Sequence, residues 1–288
     1  MQQGLVIFGA LLLGFFFRQG AEYVWVVRYI LMWLLFQAFL RIRIDRHVFR
    51  RFHLFVVGLN VVLPLLLYMS VGKLFPEVGL ALFAFTLAPT AAAAPIFAQF
   101  LRFNIATVAV STLCTSLTMA LATPWLVRWV SPAAGEIPVL DILWPVFTLI
   151  AVPLVAARLL NCISTPLTHR IATLGRFSIF LFAVNIWIAG GRAARYLFEG
   201  TATDWRAVAY IALGTGLVSI AQFRLGRHLG PPHLRGESSL SLGRKNNMFG
   251  LWVALTYLHP LAALGPIANI IWQNAYNSWE LMRLPKAR

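Results

Sequence analysis

Runs of mostly apolar residues, each near the length a helix needs to cross a lipid bilayer, recur along this chain from one end to the other. About 20 such residues span the hydrocarbon core as a helix. Strands of a membrane barrel would be shorter and strictly alternating, so the runs predict helices. They lie near residues 4–17, 23–40, 53–71, 75–101 and 104–130, and again near 138–160, 174–191, 206–223, 240–258 and 261–281. With 60% hydrophobic and 11% charged residues over 288, and a mean hydropathy of +0.77, lipid rather than water is the expected solvent. The fold class expected is an all-α polytopic membrane protein of about ten transmembrane helices.

A net charge of +15 would suggest nucleic acid if the cations formed a patch, but apart from Arg28, Arg244 and Lys245, which lie inside or at the margin of spans, they are placed in the connections. Lys and Arg retained on the cytoplasmic side of a membrane explain that placement. With ten spans the termini share a side, which carries Arg41, Arg43, Arg46, Arg50, Arg51, Arg102, Arg158, Arg170, Arg176, Arg224, Arg227, Arg235, Arg283, Lys286 and Arg288. The other side carries Arg18, Lys73, Arg128, Arg192, Arg195 and Arg206. Both termini are therefore expected in the cytoplasm, with the chain in a bacterial-type plasma (inner) membrane and no nucleic-acid partner. Cys114 and Cys162 are too isolated for a disulfide framework or thiolate metal site and read as packing residues. No basic region or small-residue cleavage site precedes Arg18, so the first span is expected to be retained.

Five spans per half is an odd number, so structural repeats over residues 1–132 and 133–288 must insert with opposite topology. The breakers support such a pairing. In the fourth span Pro89 and Pro95 bracket small residues, and proline removes a backbone donor. In the ninth, Gly243 and Gly250 bracket Arg244, Lys245, Asn246 and Asn247. Interrupted helices free N–H and C=O groups that survive at membrane depth only against protein, ions or a watery cavity. Crossing interruptions of helices 4 and 9 would form a binding site; the plainer reading of Pro89 and Pro95 is a kinked, packed helix.

Three stretches resemble the bile acid:sodium symporter superfamily, which also holds arsenite permeases and organic-anion carriers. They are Asn60 to Tyr68 with Pro64 in the third span, Pro89 to Ala94 followed by Arg102-Phe103-Asn104, and Asn246-Asn247 followed by Gly250-Leu251. The resemblance covers nearly the whole chain. It implies two inverted five-helix repeats, a core of helices 3–5 and 8–10 moving against a panel of helices 1, 2, 6 and 7, and a substrate site at the crossing. Carried onto this chain, the substrate-binding positions are Thr90, Ala94, Pro95, Arg244, Asn246 and Asn247, with Asn185 of the seventh span a further cavity candidate. The family's sodium ligands are not matched: its serine-asparagine pair falls on Ala94-Pro95, its glutamate near Leu242 and a hydroxyl on Val108. Thr112 and Asn60 remain. No cofactor is expected, and sodium is disfavoured as a coupling ion because Na⁺ exchanges its hydration shell for several oxygens at once.

Arg244 and Lys245 have three readings. The Lys245 ammonium substitutes for the ion by donating to groups freed at the break; one of the two binds an anionic substrate; or the ninth helix begins later and both are loop charges. All nine acidic residues are placed at span ends or in loops, which argues against a mid-membrane carboxylate relay, with Glu77 the nearest candidate. Asn269, Gln273 and Asn274 either line a cavity or bond between helices. No metal-ligand spacing, membrane aspartate pair or nucleophile motif suggests an enzyme, and no ring-forming filter motif suggests a channel. The function expected is a secondary transporter of a small organic anion working by alternating access; the alternative is a non-transporting sensor on a carrier fold.

Overall fold

Prolines and capping side chains decide where the helices of this chain start. The computed structural model describes residues 9–10, 12–41, 51–131, 137–199 and 205–282. The start of the first predicted span, both termini, most of the stretch between the predicted halves, and Arg43, Arg46, Arg50, Arg283, Lys286 and Arg288 lie outside the described residues. A 3₁₀ turn at Arg18–Tyr23 leads into α1 (Val24–Arg41), followed by α2 (Arg51–Val71), α3 (Pro76–Leu87), α4 (Ala94–Phe100) and α5 (Ile105–Val130). Then come α6 (Val139–Ile163), α7 (Thr165–Ala172), α8 (Gly175–Glu199), α9 (Trp205–Leu229), α10 (Arg235–Gly243), α11 (Asn247–Tyr257) and α12 (Leu264–Met282). Pro76, Pro95 and Pro166 occupy first turns, where the missing N–H would have no helical partner anyway. Asn104 caps α5 by accepting from Thr107 N at 3.1 Å, Ser164 caps α7 from Leu167 N at 3.3 Å, and Asn246 caps α11 from Phe249 N at 3.3 Å. The Ser164 cap with Pro166 explains why α7 forms where the sequence reading had only a connection.

Among the described residues, five helical segments are long and apolar enough to cross a membrane: Arg18–Leu40, Arg51–Val71, Ile105–Val130, Val139–Ile163 and Trp205–Leu229. A sixth is added if α7 and Phe177–Arg192, bent by 49°, count as one span. The surface agrees with a lipid solvent, since Trp25, Leu66, Trp125 and Leu217 are exposed while Asn60, Thr90, Asn185 and Asn269 are buried. The chain is an all-helical membrane protein. Its buried threonines satisfy themselves locally, Thr86 donating to Leu82 O at 2.6 Å and Thr123 to Met119 O at 2.5 Å.

Two of the short helices lie at the centre of the fold. With 12 and 11 residues, α3 and α11 extend only about 18 and 16 Å at 1.5 Å per residue. Neither alone crosses a core about 30 Å thick. Both are buried centrally, with α3 packed by α2, α9, α11 and α12. A Cβ at Gly250 would come within 2.6 Å of Ala84 O, and one at Gly265 within 2.0 Å of Ala81 O, so two backbones lie directly on α3. Gly250 was expected to break a helix; it sits inside α11 instead. A single glycine costs a helix only about 1 kcal/mol, and here its missing side chain is what lets α11 approach α3.

One further expectation changes. Glu237 lies in the first turn of α10 rather than in a loop, and both it and Glu280, which stands at the end of the last helix as expected, are buried. Glu237 accepts from Asn104 N at 2.8 Å, tying the start of α10 to the start of α5. Glu280 of α12 pairs with Arg227 of α9. Arg28, the isolated cation in α1, donates to Thr148 Oγ1 of α6 at 2.7 Å.

Candidate functional site

The helical ladder stops at Leu87 because Pro89 has no N–H to continue it, and it resumes at Ala94. A second ladder stops at Gly243, where a Cβ would meet the Phe223 ring at 2.3 Å, and resumes after the Asn246 cap. Segments 88–93 and 244–246 thus leave backbone groups without helical partners in the middle of the fold. They satisfy each other. Ala91 N donates to Arg244 O and Asn246 N to Pro89 O, both at 2.8 Å, in a short antiparallel pairing of Thr90 with Lys245. Thr90 N donates to Thr115 Oγ1 at 3.1 Å, Thr90 Oγ1 to Ser241 O at 2.5 Å, and Lys245 N to Gln273 Oε1 at 3.1 Å.

Backbone this extended sends successive side chains in opposite directions. Lys245, 1% exposed, reaches towards α2 and α3, where its ammonium donates to Asn60 Oδ1 and, at 3.0 Å, to Thr86 O. Asn60 Nδ2 donates in turn to Ala88 O at 3.3 Å. Arg244, 6% exposed, turns towards α4 and lays its guanidinium carbon 3.3 Å from the centre of the Phe97 ring. Since α10 begins at Arg235, both cations follow a buried helix rather than a solvated loop.

Arg244 lines a cavity of about 440 Å³ between α1, α4, α8, α12 and both breaks, the first contributing Ala91, Ala92 and Ala93. Leu31, Leu35, Phe97, Phe100 and Phe182 are among its apolar walls, and no carboxylate lines it among the described residues. Arg244, Asn247 and Ser178 are among its polar lining residues, and Arg244 Nε and Nη1, Asn247 Nδ2 and Ser178 Oγ are buried with no protein partner among the described residues. Asn247 is held from behind, because its Oδ1 accepts from Asn269 Nδ2 at 2.7 Å. Burying an uncompensated guanidinium is expensive unless an anion completes it. This arrangement can bind an anionic head by a planar, stacked cation and an amide, with apolar walls for the rest of a solute.

Of the residues singled out in sequence, Arg244, Lys245, Asn246 and Asn247 line this cavity. Thr90, Ala94 and Pro95 are buried at the first break but do not line it, and Thr90 spends its hydroxyl on Ser241. Asn185 is buried in α8 with no partner for its amide among the described residues, and it is not among the cavity-lining residues. Asn60 reaches Lys245, whereas Thr112 is not part of that contact: its hydroxyl donates to Val108 O of its own helix at 3.0 Å. The cavity also recruits Phe97, Ser178 and Gln37, which no sequence motif marks. One phenylalanine among 22 carries no signal on its own. Protein-family models and curated proteins were both compared with the chain, and none matches.

Proposed function

We propose that this chain is a secondary-active carrier of a small organic anion, with its solute bound at the meeting of the two helix breaks. The observation that carries this reading is Arg244, which lines the cavity, is stacked on Phe97 and has two buried guanidinium nitrogens without a partner, with no carboxylate in the lining among the described residues. The reading takes α3 with α4, and α10 with α11, as two discontinuous spans. They complete ten transmembrane helices in two inverted repeats, 1–132 and 133–288. The resemblance to the bile acid:sodium symporter superfamily supports this topology, and the paired breaks are its structural counterpart. Alternating access follows if helices 3–5 and 8–10 move as a core against helices 1, 2, 6 and 7, since the cavity has walls from both groups. The excess of arginine on one set of connections supports cytoplasmic termini in a bacterial-type inner membrane.

Uptake of labelled carboxylates and sulfonates into proteoliposomes tests the reading. Wild type is expected to move at least one of them, and Arg244→Gln to lose both uptake and binding. Binding without flux would favour a sensor on the same fold; neither binding nor flux across the panel would sink the anion reading.

A further inference from the structure

The Lys245 ammonium is held as a free cation would be held. Its two partners are neutral oxygens, the Asn60 side-chain carbonyl and the Thr86 backbone carbonyl, and no carboxylate pairs with it among the described residues. The Thr86 carbonyl is available because of the break. In a continuous helix it would accept from the N–H four residues on, but Thr90 N donates to Thr115 Oγ1 instead. Thr86 also lies in the last turn of α3, whose open carbonyls carry the negative end of the helix dipole. Neutral carbonyl oxygens at a broken helix end are the ligand chemistry of a hard monovalent cation. Asn60 reinforces the arrangement by tying Ala88 O at the same helix end, so α2, the end of α3 and the second break converge on one positive charge.

We propose that Lys245 is a tethered cation: its ammonium occupies a monovalent-cation site built from Asn60, Thr86 and the broken end of α3, and so assembles the crossing without a free ion. Arg244 and Lys245 then divide their work. Arg244 presents its charge to the cavity, and Lys245 spends its charge inside the protein. A small ammonium ion entering from solution should replace the side chain when that is shortened, whereas the intact chain should need no added cation.

Thermal unfolding of purified protein in detergent reads this without any solute, so its outcome is separate from that of the carrier reading. Wild type is expected to show the same midpoint in choline, sodium and potassium chloride; stabilisation by sodium or potassium would overturn the proposal, because it would reveal a site the lysine leaves open. Lys245→Ala is expected to unfold at lower temperature in choline and to regain at least half the loss in ammonium or methylammonium chloride. Adding Asn60→Ala should abolish that rescue. A Lys245→Ala protein as stable as wild type, or one rescued equally with and without Asn60, would overturn it. Should Lys245→Ala not be recoverable, Lys245→Met decides the matter, since it keeps the stem and its packing. A lowered midpoint unresponsive to ammonium is expected there, and a midpoint equal to wild type would show that the charge contributes nothing.

Discussion

The two helix breaks meet as partners but are made of opposite materials. Segment 88–93 is alanine, proline and a single threonine, and it contributes backbone: the Pro89 carbonyl, the Ala91 N–H and the Ala88 carbonyl all bond across the site. Segment 244–246 is arginine, lysine and asparagine, and it contributes side chains: one cation into the cavity, one into α2 and α3, and a cap for α11. Small residues let two unwound backbones touch, and polar residues then need to come from only one of them. The difference teaches that the first break sets shape and the second sets chemistry. A substitution in the second should therefore change what is bound, and one at Thr90, the residue of the first break that bonds to α10 without lining the cavity, should change only how firmly the fold holds.

The largest effect that tests this division belongs to Arg244. Charge-assisted hydrogen bonds are worth about 1.5–3 kcal/mol each, and Nε and Nη1 of this cavity-lining arginine have no partner among the described residues. Arg244→Gln is expected to weaken anion binding by about 100-fold or more, measured by calorimetry on purified protein. Phe97→Ala comes next. It removes the ring beneath the guanidinium, a desolvated cation–π contact worth about 2 kcal/mol, and should weaken the same anion about tenfold while leaving the charge in place. Equal affinity in Phe97→Ala and wild type would mean that the ring only fills space.

The positions of the breaks are legible in sequence because proline and polar residues at membrane depth have physical consequences wherever they stand. Pro89 cannot donate, and Arg244 and Lys245 cannot lie against lipid. What each freed group bonds to is a different matter. Lys245 and Asn60 are 185 residues apart, and no local pattern links them; only resemblance to a family puts them in one site. Residue type also misleads where a role depends on a neighbour. Gly250 looks like a breaker, yet it is a close-packing residue because Ala84 O lies over it. Thr112 donates its hydroxyl to Val108 O of its own helix rather than to the Lys245 contact. Asn185 has the chemistry of a site residue, but it is buried in α8 and is not among the cavity-lining residues. Phe97 has no local mark at all, and becomes functional only because the second break delivers Arg244 to its face.

Thr90 is the smallest and most discriminating case, being the single polar side chain of the first break. Its hydroxyl donates to Ser241 O at 2.5 Å and so joins the first break to the end of α10, but it does not line the cavity. Thr90→Val keeps the shape and removes that donor. A lost neutral hydrogen bond costs about 1 kcal/mol, rising towards ~3 kcal/mol when the partner stays buried and unpaired. The Thr90 backbone pairing with Lys245 does not involve the side chain and should survive. The variant is therefore expected to unfold at a lower temperature than wild type and, while folded, to bind the anion with unchanged affinity. If its affinity instead fell as far as that of Phe97→Ala, the first break would be acting on the bound solute, and the division between a shaping break and a chemical one would fail.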